Sequence, residues 1–448
     1  MSDATGSVLS GTGMSADNLA LCERAFDSAR TGWTALSGHG SEGRALFVPG
    51  RIEVLGKHTD YAGGATLTCA VERGVCAIYS VRRDGVVRIV DTMDTRRIEF
   101  PIAPDLAIPI GDWANYPMTV VRRVARNFDP PLVGLDLSFR NTLPVSAGMS
   151  SSSALITALF LALADVNRLR DRDAYREHVH GLADLAGYLG SVENGQPFGA
   201  LAGDHGVGTF GGSEDHTAIL CSEPERVGHF EFCPGRRIAT LPVPQDHTFA
   251  IASSGIVAQK TGNARVRYNR ASLLVGEILR MWRDATGERH ETLRDAVHSG
   301  PDAPARIEWA IRDGRSDTFV PADLARRLAH FLLENEALVP AAAQALRAGD
   351  VDAFGDVAAE SQRGAENLLM NQVPETIALT RFARELGAAA SSAFGAGFGG
   401  SVWALVRATE ARRFVDRWRA RYATHARPRV LARSSFFVTA AGPPAIPL

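Results

Sequence analysis

The feature that most constrains this chain is a glycine and serine run that opens without a break into an apolar helix. It reads Pro144-Val-Ser-Ala-Gly148-Met149-Ser150-Ser151-Ser152-Ser153, followed by the apolar run Ala154 to Ala164. That run is shorter than the about 20 residues needed to span a bilayer, so the helix has to lie in a protein core. A flexible serine linker would not lead directly into a buried helix. Free N–H groups and hydroxyls at the positive end of a helix suit phosphate oxygens and their magnesium. No Gly-Lys-Ser/Thr stands at P-loop spacing, since the Gly56-Lys57 pair precedes His58, so a different phosphate cradle is implied.

A second stretch, Phe47-Val-Pro-Gly-Arg51-Ile-Glu53-Val-Leu-Gly56-Lys57-His58-Thr-Asp60-Tyr61-Ala-Gly63-Gly64, reads as a strand entering a glycine-bracketed loop of mixed charge. Such a density of unlike charges beside close-approach glycines points to a ligand site rather than a plain turn. A third, Gly395-Ala-Gly397-Phe-Gly399-Gly400, fits G-x-G-x-x-G as a bare pattern. A strand follows it where a dinucleotide fingerprint requires a helix, so it is expected to be a glycine loop approaching a ligand between domains. Between them, Glu214-Asp215 sit after Gly206 to Gly212 and before a run expected to be an apolar strand, a setting that suits a rigidly held carboxylate or, equally, an ordinary acidic turn.

Composition sets the class. The 448 residues, 45% hydrophobic and 22% charged, suit a soluble globular protein of two or three domains. A net charge of −2 leaves no footprint for nucleic acid or an anionic membrane, so small molecules are the expected partners. Five scattered cysteines without a C-x-x-C pair indicate neither a disulfide framework nor a zinc site, and a cytoplasmic location is expected. Lys57 and Lys260 are the only lysines among 48 basic residues, which marks them for attention as compact point charges.

In chain order, a helix is expected at Asn18–Ala35, β-structure at Ala65–Ser80 and Val86–Val90, an amphipathic helix after Asp112-Trp113-Ala-Asn115-Tyr116, and a strand at Leu135–Arg140. From about Arg236 a second domain begins, with a strand at Thr248–Ile256 and helices to about Leu386. The His178-x-His180 pair is given no function. The expected division is 1–42 as an N-terminal extension with a helix, 43–238 as a first domain and 239–448 as a second.

The three glycine-rich elements in this order resemble the GHMP small-molecule kinase superfamily. The run Gly50-Arg51…Gly56-Lys57-His58-Thr-Asp60-Tyr61 is similar to the sugar-binding motif of its galactokinase branch. Trp113-Ala-Asn-Tyr116, Asp215-His216, Tyr268-Asn269 and Glu334-Asn335-Glu336 extend the likeness over most of the chain. The resemblance implies an α+β, two-lobed fold: an N-terminal mixed β-sheet and helix lobe of ribosomal-protein-S5-domain-2-like type and a C-terminal ferredoxin-like α/β sandwich, with the active site between them. It implies transfer of the ATP γ-phosphoryl group to the anomeric hydroxyl of galactose or a similar monosaccharide, with ATP and Mg2+ as cofactors.

By the same resemblance Asp215 and Arg51 are catalytic, and Lys57, His58, Asp60 and Tyr268 bind the sugar. Gly148, Met149, Ser150 to Ser153, Trp113 and Asn115, with Tyr116, belong to the nucleotide, and Ser151 with Glu193 to the metal, Asp204 being the competitor of Glu193. A monomer is expected. Departures from the branch include Glu53 for Asn, His216 for Gln, and Lys57 where an acidic residue meets the C6 hydroxyl. An ammonium there would suit a carboxylate, so a uronic acid of galacturonate type is one alternative acceptor. The other is that Lys57 pairs with a carboxylate such as Glu53 and leaves galactose binding intact. A non-catalytic sugar and ATP sensor is the reading from another class, against which Ser150 to Ser153 and Asp215 stand intact.

Overall fold

The computed structural model describes residues 8–38, 42–109, 111–145, 147–256 and 263–448, with the side chains of 263–265 and 267 excepted. Lys260 and Ser146 lie outside the described residues. Helix α1 (Ala16–Ser37) precedes strands β1 (Arg44–Leu55), β2 (Ala65–Val81), β3 (Val86–Asp91) and β4 (Arg96–Pro101). Then come α2 (Asn115–Asn127), β5 (Leu135–Asn141), α3 (Ser151–Val166), α4 (Leu182–Asn194), α5 (Glu214–Cys221), β6 (Arg226–Glu231) and β7 (Arg236–Pro242).

These strands form one mixed sheet in the order β12-β1-β2-β5-β3-β4, with β6 pairing β2 and β7 pairing β6; β12 is Ile446–Pro447. Only β3 and β5 run parallel. Nearly every residue of β1 is buried, because both faces of the sheet are covered. Leu46 and Val48 face Val120, Leu159 and Leu189 of α2, α3 and α4, while Ala45 and Phe47 face Phe26 and Trp33 of α1. The alternation of side chains along a strand sorts them between these two layers.

The second lobe begins with β8 (His247–Ser253). It continues through α6 (Asn263–Thr286), α7 (Ala303–Asp313), α8 (Pro321–Phe331), a π-helical turn at Leu332–Leu338, α9 (Val339–Ala348), α10 (Val351–Gly364) and α11 (Pro374–Glu385). After them come β9 (Ala390–Phe394), β10 (Ser401–Arg407), α12 (Ala411–Ala423) and β11 (Ser435–Thr439). The sheet order β11-β8-β10-β9, all antiparallel, is the ferredoxin-like arrangement with an enlarged first helical crossover. Ile52, Leu67 and Val227 of the first sheet share one core cluster with Ile251, Leu346 and Trp403 of the second lobe.

The structure corrects three sequence expectations. The run after Asp215 is helix α5, not a strand; four apolar residues cannot distinguish the two by periodicity. The expected boundary at 238/239 falls inside β7, which belongs to the first sheet through its pairing with β6. The last strand, β12, returns to pair with β1, so the chain from 239 to 448 does not stay within the second lobe. Among the described residues no helix is long and apolar enough to cross a membrane.

Candidate active site

A cavity of about 310 Å³ lies where the three glycine-rich elements converge. The phosphate end is the start of α3. Ser150 precedes the helix in a left-handed conformation (φ 59°), is 5% exposed, and its Oγ has no hydrogen-bond partner among the described residues. An orphaned buried hydroxyl beside the free N–H groups of a helix start is the arrangement a phosphate oxygen completes. Gly148 supplies the turn before it with φ 69°. Gly395 packs against that turn: a Cβ there would sit 2.6 Å from the Gly148 carbonyl oxygen, so only glycine fits. Ser150, Ser151 and Ser152 line the cavity, whereas Met149 is buried in the core, only 1% exposed.

Arg51 leaves the end of the β1 core and meets Asp215 in the first turn of α5. Its Nε donates to Asp215 Oδ1 at 2.8 Å, its Nη2 lies 2.7 Å from the same oxygen, and its Nη1 donates to the Gly148 carbonyl at 2.7 Å. Burial opposes the Arg51 charge, but Asp215, Glu214 and Glu53 together more than offset it and hold the guanidinium protonated. Asp215 Oδ2 accepts from Ser153 Oγ at 3.1 Å, and the same hydroxyl lies 2.8 Å from Glu193 Oε2. Ser153 thus links the base expected from the sequence to the expected metal carboxylate.

Glu193, at the end of α4, lines the cavity. Its Oε2 is also 3.1 Å from His216 Nε2, and His216 Nδ1 is 3.1 Å from Thr157 Oγ1. A neutral imidazole protonated on Nε2 satisfies both contacts, donating to the carboxylate and accepting from the threonine. Asp204 is instead bound to Arg122 Nε at 3.0 Å and to the Gly206 N–H, away from the cavity lining. No group of three or more His, Cys, Asp or Glu among the described residues could hold a metal ion by itself. Glu193 with the serine hydroxyls therefore fits a magnesium shared with phosphate oxygens, the usual manner of that ion in nucleotide sites.

At the end where the sequence places the acceptor, His58, Asp60, Tyr61, Tyr268 and Gly212 line the cavity. Asp60 Oδ2 accepts the Glu214 N–H at 3.2 Å, and burial pushes its carboxyl up to about 6. His58 Nδ1 lies 2.9 Å from the Tyr61 hydroxyl and Nε2 3.3 Å from the Ala396 carbonyl. Burial and then Arg327 pull the His58 imidazole down to about 4, so it is neutral near pH 7. The nucleotide end carries Trp113, Tyr116, Phe139 and Leu155, with the Arg96 guanidinium 5.0 Å from the Trp113 ring centroid. Asn115 does not line the cavity; its Nδ2 donates to the Val207 carbonyl at 3.2 Å and holds the neighbouring loop on α2.

Lys57 is the clearest departure from the sequence expectation. It is completely buried, absent from the cavity lining, and its ammonium donates to Ser361 Oγ at 2.6 Å. Ser361 in turn donates to Glu334 Oε1 at 2.8 Å, an oxygen that also accepts the N–H groups of Gly56 and Lys57. The second lobe therefore grips the sugar-motif loop from behind, and Asn335 adds a hydrogen bond to the Ala65 N–H at 2.7 Å.

Sequence reading missed Glu214. It is 5% exposed and lines the cavity, its Oε1 accepts no hydrogen bond among the described residues, and that oxygen is 4.0 Å from Arg51 Nε. Burial, followed by the charge of Glu53, pushes its carboxyl well above the usual range. Burial also raises Glu53, whose Oε2 accepts the Gly395 N–H at 2.8 Å. The adjacent acidic pair Glu214-Asp215 was the available signal; a helix start places the two side chains on different sides, one beside Glu53 and one on Arg51.

Comparison with known proteins gives concordant matches. The galactokinase galactose-binding signature matches residues 37–81, the GHMP kinases N terminal domain 115–199, and the GHMP kinases C terminal 342–424. These segments carry the sugar-motif loop, the phosphate loop with Glu193, and the third glycine loop. The galactokinase of Streptomyces coelicolor is 28% identical over 374 residues, covering 83% of this chain and 86% of that protein. That of Chloroflexus aggregans is 28% identical over 396 residues, covering 85% and 88%. The fold superposes on the crystal structure of Lactococcus lactis galactokinase complexed with galactose with a TM-score of 0.75 at 21% identity, over 93% of this chain and 98% of that one. With the two-lobed fold, the serine loop at the start of α3 and these matches in agreement, the chain belongs to the GHMP kinase superfamily as a divergent, galactokinase-like member.

Proposed function

We propose that the protein transfers the γ-phosphoryl group of ATP to the anomeric hydroxyl of galactose or a galactose-like monosaccharide, giving a sugar 1-phosphate and ADP. The observation that carries this reading is the Arg51–Asp215 pair set beside the unpartnered Ser150 hydroxyl, with the acceptor-end residues Asp60 and Tyr268 in the same cavity. Phosphoryl transfer asks a protein chiefly to position the reactants and neutralise charge.

Asp215 uses Oδ1 for Arg51, which leaves Oδ2 to exchange Ser153 for the sugar hydroxyl and to take its proton as the new O–P bond forms. Arg51 stays charged and spans Asp215 and the phosphate-loop carbonyl, next to where charge accumulates on the transferred group. Ser150 and the N–H groups at the start of α3 would hold phosphate oxygens. Glu193 and Ser151 would hold Mg2+, which supplies charge neutralisation across the phosphates. Trp113, Tyr116 and Leu155 offer the apolar surface for a base.

The uronic acid alternative loses its basis, because the Lys57 ammonium is spent on Ser361 and the acceptor end presents Glu53, Asp60, Glu214 and Asp215. An anionic C6 group would meet these carboxyls, with the Lys57 ammonium turned away from it. The test is ADP release over a panel of galactose, galacturonate, glucuronate, L-arabinose and N-acetylgalactosamine, with Asp215→Asn as the control. Sugar-dependent release that the variant loses by about 10²-fold or more is expected. No sugar-dependent ADP from the unmodified protein would favour a non-catalytic sensor, and galacturonate as the best acceptor would overturn the assignment of Lys57.

A further inference from the structure

Beside the catalytic cavity lies a larger one, of about 950 Å³, whose charged lining among the described residues is entirely arginine: Arg24, Arg73, Arg140 and Arg433. Arg24 comes from α1, Arg73 from β2, Arg140 from β5, and Arg433 from the loop before β11 in the second lobe. Among the described residues no aspartate or glutamate lines this cavity, and none of the four arginines forms an ion pair. This sets them apart in a chain where most other buried or half-buried arginines of the first lobe, such as Arg51, Arg82, Arg88 and Arg122, face carboxylates.

Two of the four are fixed in place. The Arg73 guanidinium stacks 3.7 Å from the Phe437 ring centroid and its Nε donates to Asn18 Oδ1 at 2.9 Å. Arg140 Nη1 donates to the Thr92 carbonyl at 2.9 Å. Burial pulls the Arg73 guanidinium down to about 10, the mark of a cation short of countercharge. Planar guanidinium forks held this way match phosphate oxygens in geometry and charge. The volume is that of a site for a molecule of nucleotide or sugar phosphate size, and Leu21, Val145 and Ile256 give its body apolar surface.

We propose that this cleft is a second binding site, distinct from the catalytic cavity, for a phosphorylated small molecule that bridges the two lobes. Met93, Asn141 and Val145 line both cavities, and Asn141 to Val145 is the segment that leads from β5 toward the phosphate loop. A ligand held by the arginines touches that segment from its far side and so alters nucleotide use in the catalytic cavity.

The test counts phosphate-bearing ligands per chain by calorimetry. The protein is first titrated with a non-hydrolysable ATP analogue in the presence of sugar, then with pyrophosphate, ADP or a hexose 1-phosphate. A total of two sites is expected, with the order of affinities among the three probes separating a nucleotide from a sugar phosphate as the occupant. Arg24→Gln with Arg433→Gln, both exposed residues outside the catalytic cavity, should weaken the second site by about tenfold or more, because each removes a charge-assisted hydrogen-bond donor. The first site and the basal rate should not change. Arg312→Gln with Arg413→Gln is the charge-matched control and should leave both sites intact. Occupying the second site should shift the KM for ATP at least about twofold. A single site in the unmodified protein, a second site that survives the double variant unchanged, or equal weakening by the control pair would overturn the proposal.

Discussion

Replacing Lys57 by methionine separates the two roles a cation can have in the sugar-motif loop. The side chain is fully buried and its ammonium donates to Ser361, which relays to Glu334, while Glu53 feels its charge from the other side. Methionine keeps the stem packing and removes the charge. The lost charge-assisted hydrogen bond accounts for roughly 1.5–3 kcal/mol. Breaking a buried ion pair outright costs about 3–5 kcal/mol, but here the ammonium reaches Glu334 only through a hydroxyl, so this is an upper bound. Relief of the ammonium's own desolvation offsets part of the loss, giving about 2–3 kcal/mol for Lys57→Met. Urea unfolding should show this as a lower midpoint at unchanged slope. The KM for the acceptor sugar, measured where the variant is still folded, should move by less than about threefold. A variant within about 0.5 kcal/mol of the unmodified protein whose sugar KM rises more than about tenfold would refute the reasoning and put the ammonium back on the substrate.

Asp60 predicts a pH dependence of acceptor binding. Its folded pKa of about 6 lies above its ordinary 3.8, so the native state binds the extra proton between those values; the stability it contributes is full below 3.8 and lost as pH rises through about 6. His58, lowered from 6.5 to about 4, works in the opposite direction over an overlapping window, so these two contributions to stability largely offset each other, while the sugar KM should fall as pH rises through 6. A flat KM profile, or one that Asp60→Asn leaves unchanged, would count against this. Gly395→Ala places a Cβ 2.6 Å from the Gly148 carbonyl at φ 77°, and kcat should fall about tenfold or more, with about 1–2 kcal/mol lost in a urea melt. Unchanged kcat would show that the two loops do not depend on each other. Glu193→Gln should raise the Mg2+ concentration for half-maximal rate by about tenfold without altering the sugar KM, read from a magnesium titration at fixed ATP; an unchanged requirement would remove Glu193 from the metal.

The parts of the site that were legible before folding are those whose geometry is local. A Gly-Ser run entering an apolar helix carries its own backbone donors, so the phosphate cradle at Gly148 to Ser153 was readable from its composition. Glu193 could be named but not separated from Asp204; the ion pair of Asp204 with Arg122, 82 residues away in sequence, favours Glu193 as the proposed metal carboxylate. Asn115 and Met149 lie in the right segments but face structural neighbours, because one turn of helix or loop rotates adjacent side chains away from each other. The strand expected after Asp215 is a helix since a short apolar run, buried on all sides, carries no period.

By itself the sequence determined the three glycine elements, the two-lobed α+β class and, through the resemblance, the pairing of Arg51 with Asp215, since local backbone requirements and a strong resemblance specify these. Only the tertiary structure decided what each charge in the sugar-motif loop faces. Lys57 is turned toward Ser361 and Glu334 by elements roughly 300 residues further along the chain, and Glu214 and Asp215 are brought to Arg51 and Glu53 by the first turn of α5. A buried charge is oriented by whichever partners can solvate it, and those partners are set by long-range packing rather than by neighbours in sequence.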